Sequence, residues 1–247
     1  MEEGVYAEHY EQEDRHWWFR GKRAVIWALV HRVDLPDKAR VLDAGCGTGR
    51  TLVELGALGP AAGVDPSAEA VAFCHRRGLD SVRLGGLEAL PFEAGEFDLL
   101  LASDVLEHVQ DDHSALVELG RVAADGASLV ITVPAYEWMW SEHDDQLHHL
   151  RRYTLRRLRQ RVLAAGWRPV HATYFNSILL PVVAAARLST RLLPLRGRTD
   201  IGRTPPALNS ALEAPMRLEA AMIARGARLP AGVSVGMVCQ RDRIGLT

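Results

Sequence analysis

Val41-Leu42-Asp43-Ala44-Gly45-Cys46-Gly47-Thr48-Gly49-Arg50 packs a strand, a tight turn and a helix start into one stretch. A short apolar run ends in an acid, glycines follow at alternate positions, and Thr51-Leu52-Val53-Glu54-Leu55 reads as the opening turns of a helix. Glycine is needed where the backbone takes positive φ or lies against a ligand with no Cβ between them. A helix start presents unpaired N–H groups. Such a turn suits a nucleotide-like molecule held at the edge of a parallel sheet.

The spacing narrows the choice. A dinucleotide turn reads Gly-x-Gly-x-x-Gly, whereas this one reads Gly45-x-Gly47-x-Gly49 with Asp43 in front. A second apolar run, Ala61-Ala62-Gly63-Val64, ends at Asp65. An acid at the tip of the second strand can accept hydrogen bonds from both ribose hydroxyls. Each such bond to a charged acceptor contributes about 1.5–3 kcal/mol, enough to select a free 2′,3′-diol.

With these residues in view, the chain resembles the class I S-adenosylmethionine-dependent methyltransferases of the small-molecule, "type 11"-like superfamily. The stretches that carry the resemblance are VLDAGCGTG (41–49), GVDPS (63–67), LEALPF (87–92), FDLLLASDVLEHV (97–109) and SLVITVP (128–134), in matching order across residues 40–175. The resemblance implies S-adenosyl-L-methionine as cofactor and S-adenosyl-L-homocysteine as product. It implies that Gly45 and Gly47 pack under the methionine part, that Asp65 holds the ribose, and that Leu87 lies by the adenine. It places Ser103 and Asp104 near the methionyl end. Asp43, Cys46, Pro66 and Leu106 complete the candidate cofactor set. The chain departs from the family at Gly86, where an acid often meets the adenine amino group. Only backbone is available there, unless Leu87 and Glu88 supply the contact.

Composition sets outer limits. The 247 residues suit one doubly wound domain with an insertion. A net charge of −2 shows no global footprint for nucleic acid. Three cysteines, Cys46, Cys74 and Cys239, read as reduced thiols rather than a disulfide framework. The acidic N-terminus lacks the pattern of a signal peptide, and no apolar stretch is long enough to span a bilayer. These features point to a cytoplasmic protein, as a monomer or homodimer, with peripheral membrane contact still open.

The expected fold is α/β: a Rossmann-like doubly wound seven-stranded sheet whose last strand is antiparallel. It carries an N-terminal helical lid and a helical insertion before the last strand. The expected domains are an N-terminal arm and lid helix (1–35), the S-adenosylmethionine-binding core (36–175), a helical insertion or cap (176–232) and the final strand (233–247). Residues 1–15 are polar and acidic, and are expected to be mobile or loosely docked. His16-Trp17-Trp18-Phe19-Arg20 follows. Three adjacent aromatics either cap the core or close over the cofactor, with Trp18, Phe19 or Arg20 facing it. An aromatic face near a sulfonium gains cation–π attraction. In the insertion, residues 178–193 form an apolar, helix-compatible run, 196–206 a basic loop, and 207–228 a second helix. The run reads as a substrate cap, a dimer surface or a membrane-surface contact, or simply as extra core.

Methyl transfer from a sulfonium is an in-line displacement, so the protein must align the nucleophile and exclude water. An oxygen or nitrogen nucleophile can also need a base. Two stretches supply candidates. Ser103-Asp104-Val105-Leu106-Glu107-His108-Val109 follows the fourth strand, and its Glu107-His108 pair looks like that of ubiquinone-type O-methyltransferases. His108 is either a base or a residue that only orders the loop. After the fifth strand, Tyr136, Trp138 and Trp140 can wall an apolar substrate. His143 beside Asp144 or Asp145 reads as a base with an orienting acid. His149, Arg152 and Tyr153 are further substrate-side candidates, since Arg suits bidentate contact with a carboxylate or phosphate. Trp18 joins them from the lid. The spacing of His143, His148 and His149 matches no strong metal template, so no metal is expected. The leading expectation is methylation of a small molecule, at oxygen of a natural-product or lipid-like acceptor. Methylation at nitrogen or carbon, and a non-catalytic membrane-surface or partner-binding role, are the alternatives.

Overall fold

The computed structural model describes residues 4–192 and 204–242, with backbone alone for 188–192. Seven strands form one sheet in the order β3-β2-β1-β4-β5-β7-β6. β1 (Val41–Ala44), β2 (Ala61–Asp65), β3 (Val82–Leu84), β4 (Phe97–Ser103) and β5 (Ala123–Pro134) pair in parallel. β7 (Ser234–Arg241) runs antiparallel between β5 and β6 (Trp167–Phe175). The fold is the Rossmann-like doubly wound sheet expected from the strand–turn–helix signal. Chain order reverses direction at β1, which lies between β2 and β4. Ligands bind at such a switch point, outside the carboxyl ends of the strands.

β4 shows why the sheet is covered on both faces. Side chains alternate along a strand. Leu100 and Ala102 enter one apolar cluster with Leu116, Leu119 and Trp167. Leu99 and Leu101 enter the other, with Ile26, Leu29 and Met216. The first cluster is closed by α5 (Asp112–Val122) and α7 (Leu155–Ala164), and the second by α2 (Trp17–Val30) and α9 (Pro206–Ala224). Caps act where the sequence places them. The Ser67 hydroxyl accepts from Ala70 N at 3.4 Å to start α4 (Ala68–Arg76), and Thr154 Oγ1 accepts from Arg157 N at 3.2 Å to start α7.

The N-terminal segment departs from expectation. Residues 5–12 form a helix, α1 (Val5–Gln12), rather than a loose arm. Its Tyr6 is buried against Ala70 and Phe73 of α4, and Tyr10 stacks on Phe73 with centroids 4.7 Å apart. The two tyrosines of this polar stretch fall on the docked side, which a composition-based reading averages away. The insertion divides in two. Met216, Ala220 and Ile223 of α9 are core residues, and α2 meets α9 so closely that a Cβ at Gly21 would stand 2.6 Å from Met216 Sδ. α8 (Leu180–Leu192) lies outside, with Val182 exposed. Most of the basic loop expected at 196–206, and residues 243–247 of the expected final segment, lie outside the described residues. Among the described residues no helix is long and apolar enough to cross a membrane.

Candidate active site

The glycine turn joins β1 to α3 (Arg50–Leu55) at the carboxyl edge of the sheet. Gly45 and Gly47 take φ of 81° and 54°, values that favour glycine. A Cβ on Gly45 would stand 2.6 Å from Val105, whereas one on Gly47 would meet nothing within 4 Å. The space beside Gly47 is therefore open. Asp65, at the tip of β2, faces this turn. Its Oδ2 accepts from Gly47 N at 2.9 Å, and its Oδ1 from Ser67 N at 2.9 Å. Burial pushes the Asp65 carboxyl up, while those two backbone N–H groups oppose the shift by favouring its charge.

Asp43 is buried near the tip of β1. Burial pushes it up to about 7, against the nearby charge of Lys22. Beneath the turn, the Cys46 and Cys74 sulfurs lie 3.9 Å apart, both as free thiols. Contact with Cys74 and burial push the Cys46 thiol up, so Cys46 is a small packing residue rather than a nucleophile. Leu87 and Leu106 are buried in the main core, and Pro66 follows Asp65 at a bend just past β2. Where the family pattern has an acid at position 86, the Glu88 carboxylate folds back. Its Oε2 lies 3.0 Å from where a Gly86 Cβ would be.

The two N-terminal helices cover this cradle. The Tyr6 hydroxyl donates to Asp65 Oδ1 at 3.3 Å. Thr48 Oγ1 donates to Glu13 Oε2 at 2.7 Å, and Arg77 pairs with the same carboxylate. Lys22 of α2 reaches Asp104, with Nζ 2.7 Å from Oδ2. Asp104 itself takes a φ of 51° just past β4, and its Oδ1 accepts from Thr132 Oγ1 at 2.9 Å. Ser103 Oγ shares a 2.9 Å hydrogen bond with the same Thr132 hydroxyl. Burial works to raise the Asp104 carboxyl, but the Lys22 charge and hydrogen bond, with the Thr132 hydroxyl and His149, together hold the group below the ordinary range. A non-glycine residue held at positive φ on a strand tip is a mark of functional sites. Tyr136, just past β5, is another, at 58°.

Past β5 the chain builds a wall around Asp144. This carboxylate is fully buried. It accepts from Arg152 Nε at 2.8 Å, from Arg152 Nη2 at 3.0 Å and from Ser141 N at 2.8 Å, and it meets His149 Nδ1 at 2.8 Å. Arg187 of α8 stands 3.6 Å away and also donates to the Met139 carbonyl. These contacts hold Asp144 below the ordinary carboxylate range even though burial opposes it. Asp144 is one of the two acids expected to orient His143. The acid orients His149, five positions on, because the short helix α6 (Glu142–Gln146) turns its buried face inward at Asp144.

Arg152 and Tyr153 also correct their expected role as outward anion binders. Arg152 is internal and donates to the Ala135 carbonyl as well as to Asp144. Tyr153 is fully buried, with its hydroxyl 2.8 Å from Asp112 Oδ2. Tyr136 stacks between Trp138 and Tyr174, at 5.7 and 5.2 Å, and Trp138 is exposed. The Trp140 indole N–H donates to Asp145 at 2.9 Å. On the lid, Trp18 packs on the second core cluster, Phe19 meets His9 edge-on at 5.1 Å, and Arg20 pairs with Glu213 of α9 at 3.3 Å. The lid residue that reaches a strand tip is Lys22. Neither Lys22, Tyr6 nor His9 was singled out from sequence, because isolated polar residues on amphipathic helices carry no pattern. Burial, with the charges of Lys22 and His143, lowers His9 to about 4.

The residues at the β1 and β2 tips fit an S-adenosyl nucleoside. An ionised carboxylate has about four acceptor positions, and Asp65 keeps capacity beyond its two backbone partners and the long Tyr6 contact. The comparisons agree. Residues 42–131 match the family model described as "Methyltransferase domain". Norajmaline N-methyltransferase of Rauvolfia serpentina is 37% identical over 109 residues, covering 40% of this chain and 37% of that protein. The mitochondrial ubiquinone biosynthesis O-methyltransferase of Homo sapiens is 34% identical over 143 residues, covering 53% and 38%. The chain thus spans less than two fifths of these relatives' lengths. In the complex between the Haloferax volcanii Trm112 methyltransferase activator and the putative methyltransferase, one chain shares the fold. Its TM-score is 0.63 at 19% identity, over 98% of this chain and 96% of that one. The glycine turn, the strand-tip acid, the sheet order and these matches identify residues 42–131 as a methyltransferase domain of the class I S-adenosylmethionine-dependent kind, with S-adenosylmethionine as cofactor.

Proposed function

We propose that the chain methylates a small molecule at oxygen, a hydroxyl or carboxylate of a natural-product or lipid-like acceptor. The observation that carries this reading is the Asp65 carboxylate, set by two backbone N–H groups against the open side of Gly47. When bound, the cofactor supplies a methyl group already activated on sulfur. The protein's own work is then alignment and exclusion of water. Asp65 would accept from the ribose hydroxyls, Leu87 and Glu88 would border the adenine, and Asp104 with Lys22 would close the methionyl end. The exposed Trp138 and the apolar helix α8, tied to the segment after β5 through Arg187, would wall the acceptor. A lipophilic acceptor suits that wall.

For an oxygen acceptor, His143 is our first choice of base. His108 is second, because burial and the neighbouring His149 lower it to about 4. A base that weak removes a hydroxyl proton poorly at neutral pH. Oxygen is favoured over nitrogen by the Glu107-His108 pair and by the likeness to the O-methyltransferase. The likeness to an N-methyltransferase makes an amine the rival acceptor.

Calorimetry with S-adenosylmethionine and S-adenosylhomocysteine tests the cofactor half. Asp65→Ala should weaken binding by about 1.5–3 kcal/mol, roughly 10- to 100-fold. No binding, or binding unchanged in the variant, overturns the reading. His143→Ala should lower turnover while cofactor affinity holds, and unchanged turnover would reassign the base. Liposome co-sedimentation separates a freely dissolved enzyme, left in the supernatant, from a membrane-surface protein.

A further inference from the structure

Glu107 is fully buried, and neither oxygen of its carboxylate has a hydrogen-bond partner among the described residues. A carboxylate left this way is costly, and an orphan of this kind points to a missing ion or proton. Its neighbours are imidazoles. The His108 and His149 rings meet edge-on with centroids 4.7 Å apart. One ligand atom from each of Glu107, His108 and His149 lies within 4.8 Å of the others. The two segments are joined by the Leu150 N–H, which donates to the Glu107 carbonyl at 2.8 Å.

The outer partners are also in place. His149 Nδ1 lies 2.8 Å from Asp144 Oδ1, and Asp144 is itself gripped by Arg152. A carboxylate on one imidazole nitrogen fixes the tautomer and leaves the other nitrogen's lone pair for a metal. Two imidazoles and a carboxylate suit a divalent transition ion and leave a coordination position open. In a tetrahedral zinc site, bonds of about 2.0–2.1 Å put ligand atoms about 3.4 Å apart, so side-chain motions of about an ångström close the set.

We propose that Glu107, His108 and His149 form a binding site for a divalent transition-metal ion, zinc by preference, with Asp144 positioning His149. The sequence hides this site because its ligands come from the loops after β4 and after β5, and neither loop alone has ligand spacing. The site's existence does not depend on the acceptor. Its use, to hold an acceptor oxygen at the open position, rests on the oxygen-methylation reading.

The test loads the full chain with Zn²⁺ or Co²⁺, dialyses away excess, and measures bound metal, the visible Co²⁺ ligand-field bands and Tm. One equivalent per chain, Co²⁺ bands and a raised Tm are expected. Glu107→Gln and His149→Ala should each abolish all three, and Asp144→Asn should weaken binding about 10- to 100-fold. Calorimetry with S-adenosylhomocysteine reports that each variant is folded, and it fails separately if the cofactor assignment is wrong. Glu107→Gln changes little in volume, and His108→Ala replaces any variant that does not fold. Less than one equivalent retained by the wild type overturns the site, as does binding that survives Glu107→Gln and His149→Ala.

Discussion

At the tips of β1 and β2 the polar groups are backbone N–H donors and carboxylates, all drawn from residues 43–67. At the tips of β4 and β5 they are side chains from α2, residues 103–108 and residues 136–153. The first end is built by local backbone geometry, so its chemistry lies in a short continuous pattern. The second is built by convergence, so its chemistry depends on which distant side chains the fold brings together. One end can then be common to many chains of this architecture, while the other carries what is particular to this one.

The sharpest way to break that contrast is Asp144→Ala. If the acceptor end is held by one internal carboxylate, removing it strands Arg152 inside the protein. The expected loss is about 3–5 kcal/mol of stability in urea unfolding. A loss below about 1 kcal/mol would mean that the wall is held locally, like the glycine turn.

Asp43→Asn probes the other end through pH. The folded-state pKa of Asp43 is raised to about 7 by burial. An unfolded chain gives up that proton near 4. Between those values the folded state holds the extra proton, so wild-type stability falls as pH rises from about 4 to about 7 and is level above. The Asn variant should lack this slope, gaining on the order of 4 kcal/mol over wild type by pH 8 relative to pH 4. Parallel stability curves for the two proteins would show that Asp43 is solvated or paired. The smallest effect is expected from Tyr6→Phe. It removes a 3.3 Å hydrogen bond from Asp65, and should tighten S-adenosylhomocysteine binding by about 0.5–1.5 kcal/mol if α1 competes with the ribose. Weaker binding would instead make Tyr6 part of the cofactor wall.

The legible part of the molecule follows this division. The strands around Asp43, Asp65 and Ser103, the caps Ser67 and Thr154, and the last strand all carry short-range signals: apolar runs, glycines at fixed offsets, hydroxyls before helices. α1 was not legible, because its two docking rings, Tyr6 and Tyr10, are spaced among charges. Asp144, one of the two acids beside His143 in sequence, bonds His149. A helix of one to two turns rotates adjacent residues about 100° apart, so neighbours in the chain need not share a partner.

The sequence by itself determined the sheet, the turn and the acid at its second tip, because steric limits on the backbone and burial of alternating side chains act over a few residues. Only the tertiary structure decided that Lys22 closes on Asp104, that Arg152 and Tyr153 point inward, and that Glu107, His108 and His149 meet. Those are contacts between segments far apart in the chain, and it is packing of the two apolar layers that sets them in register.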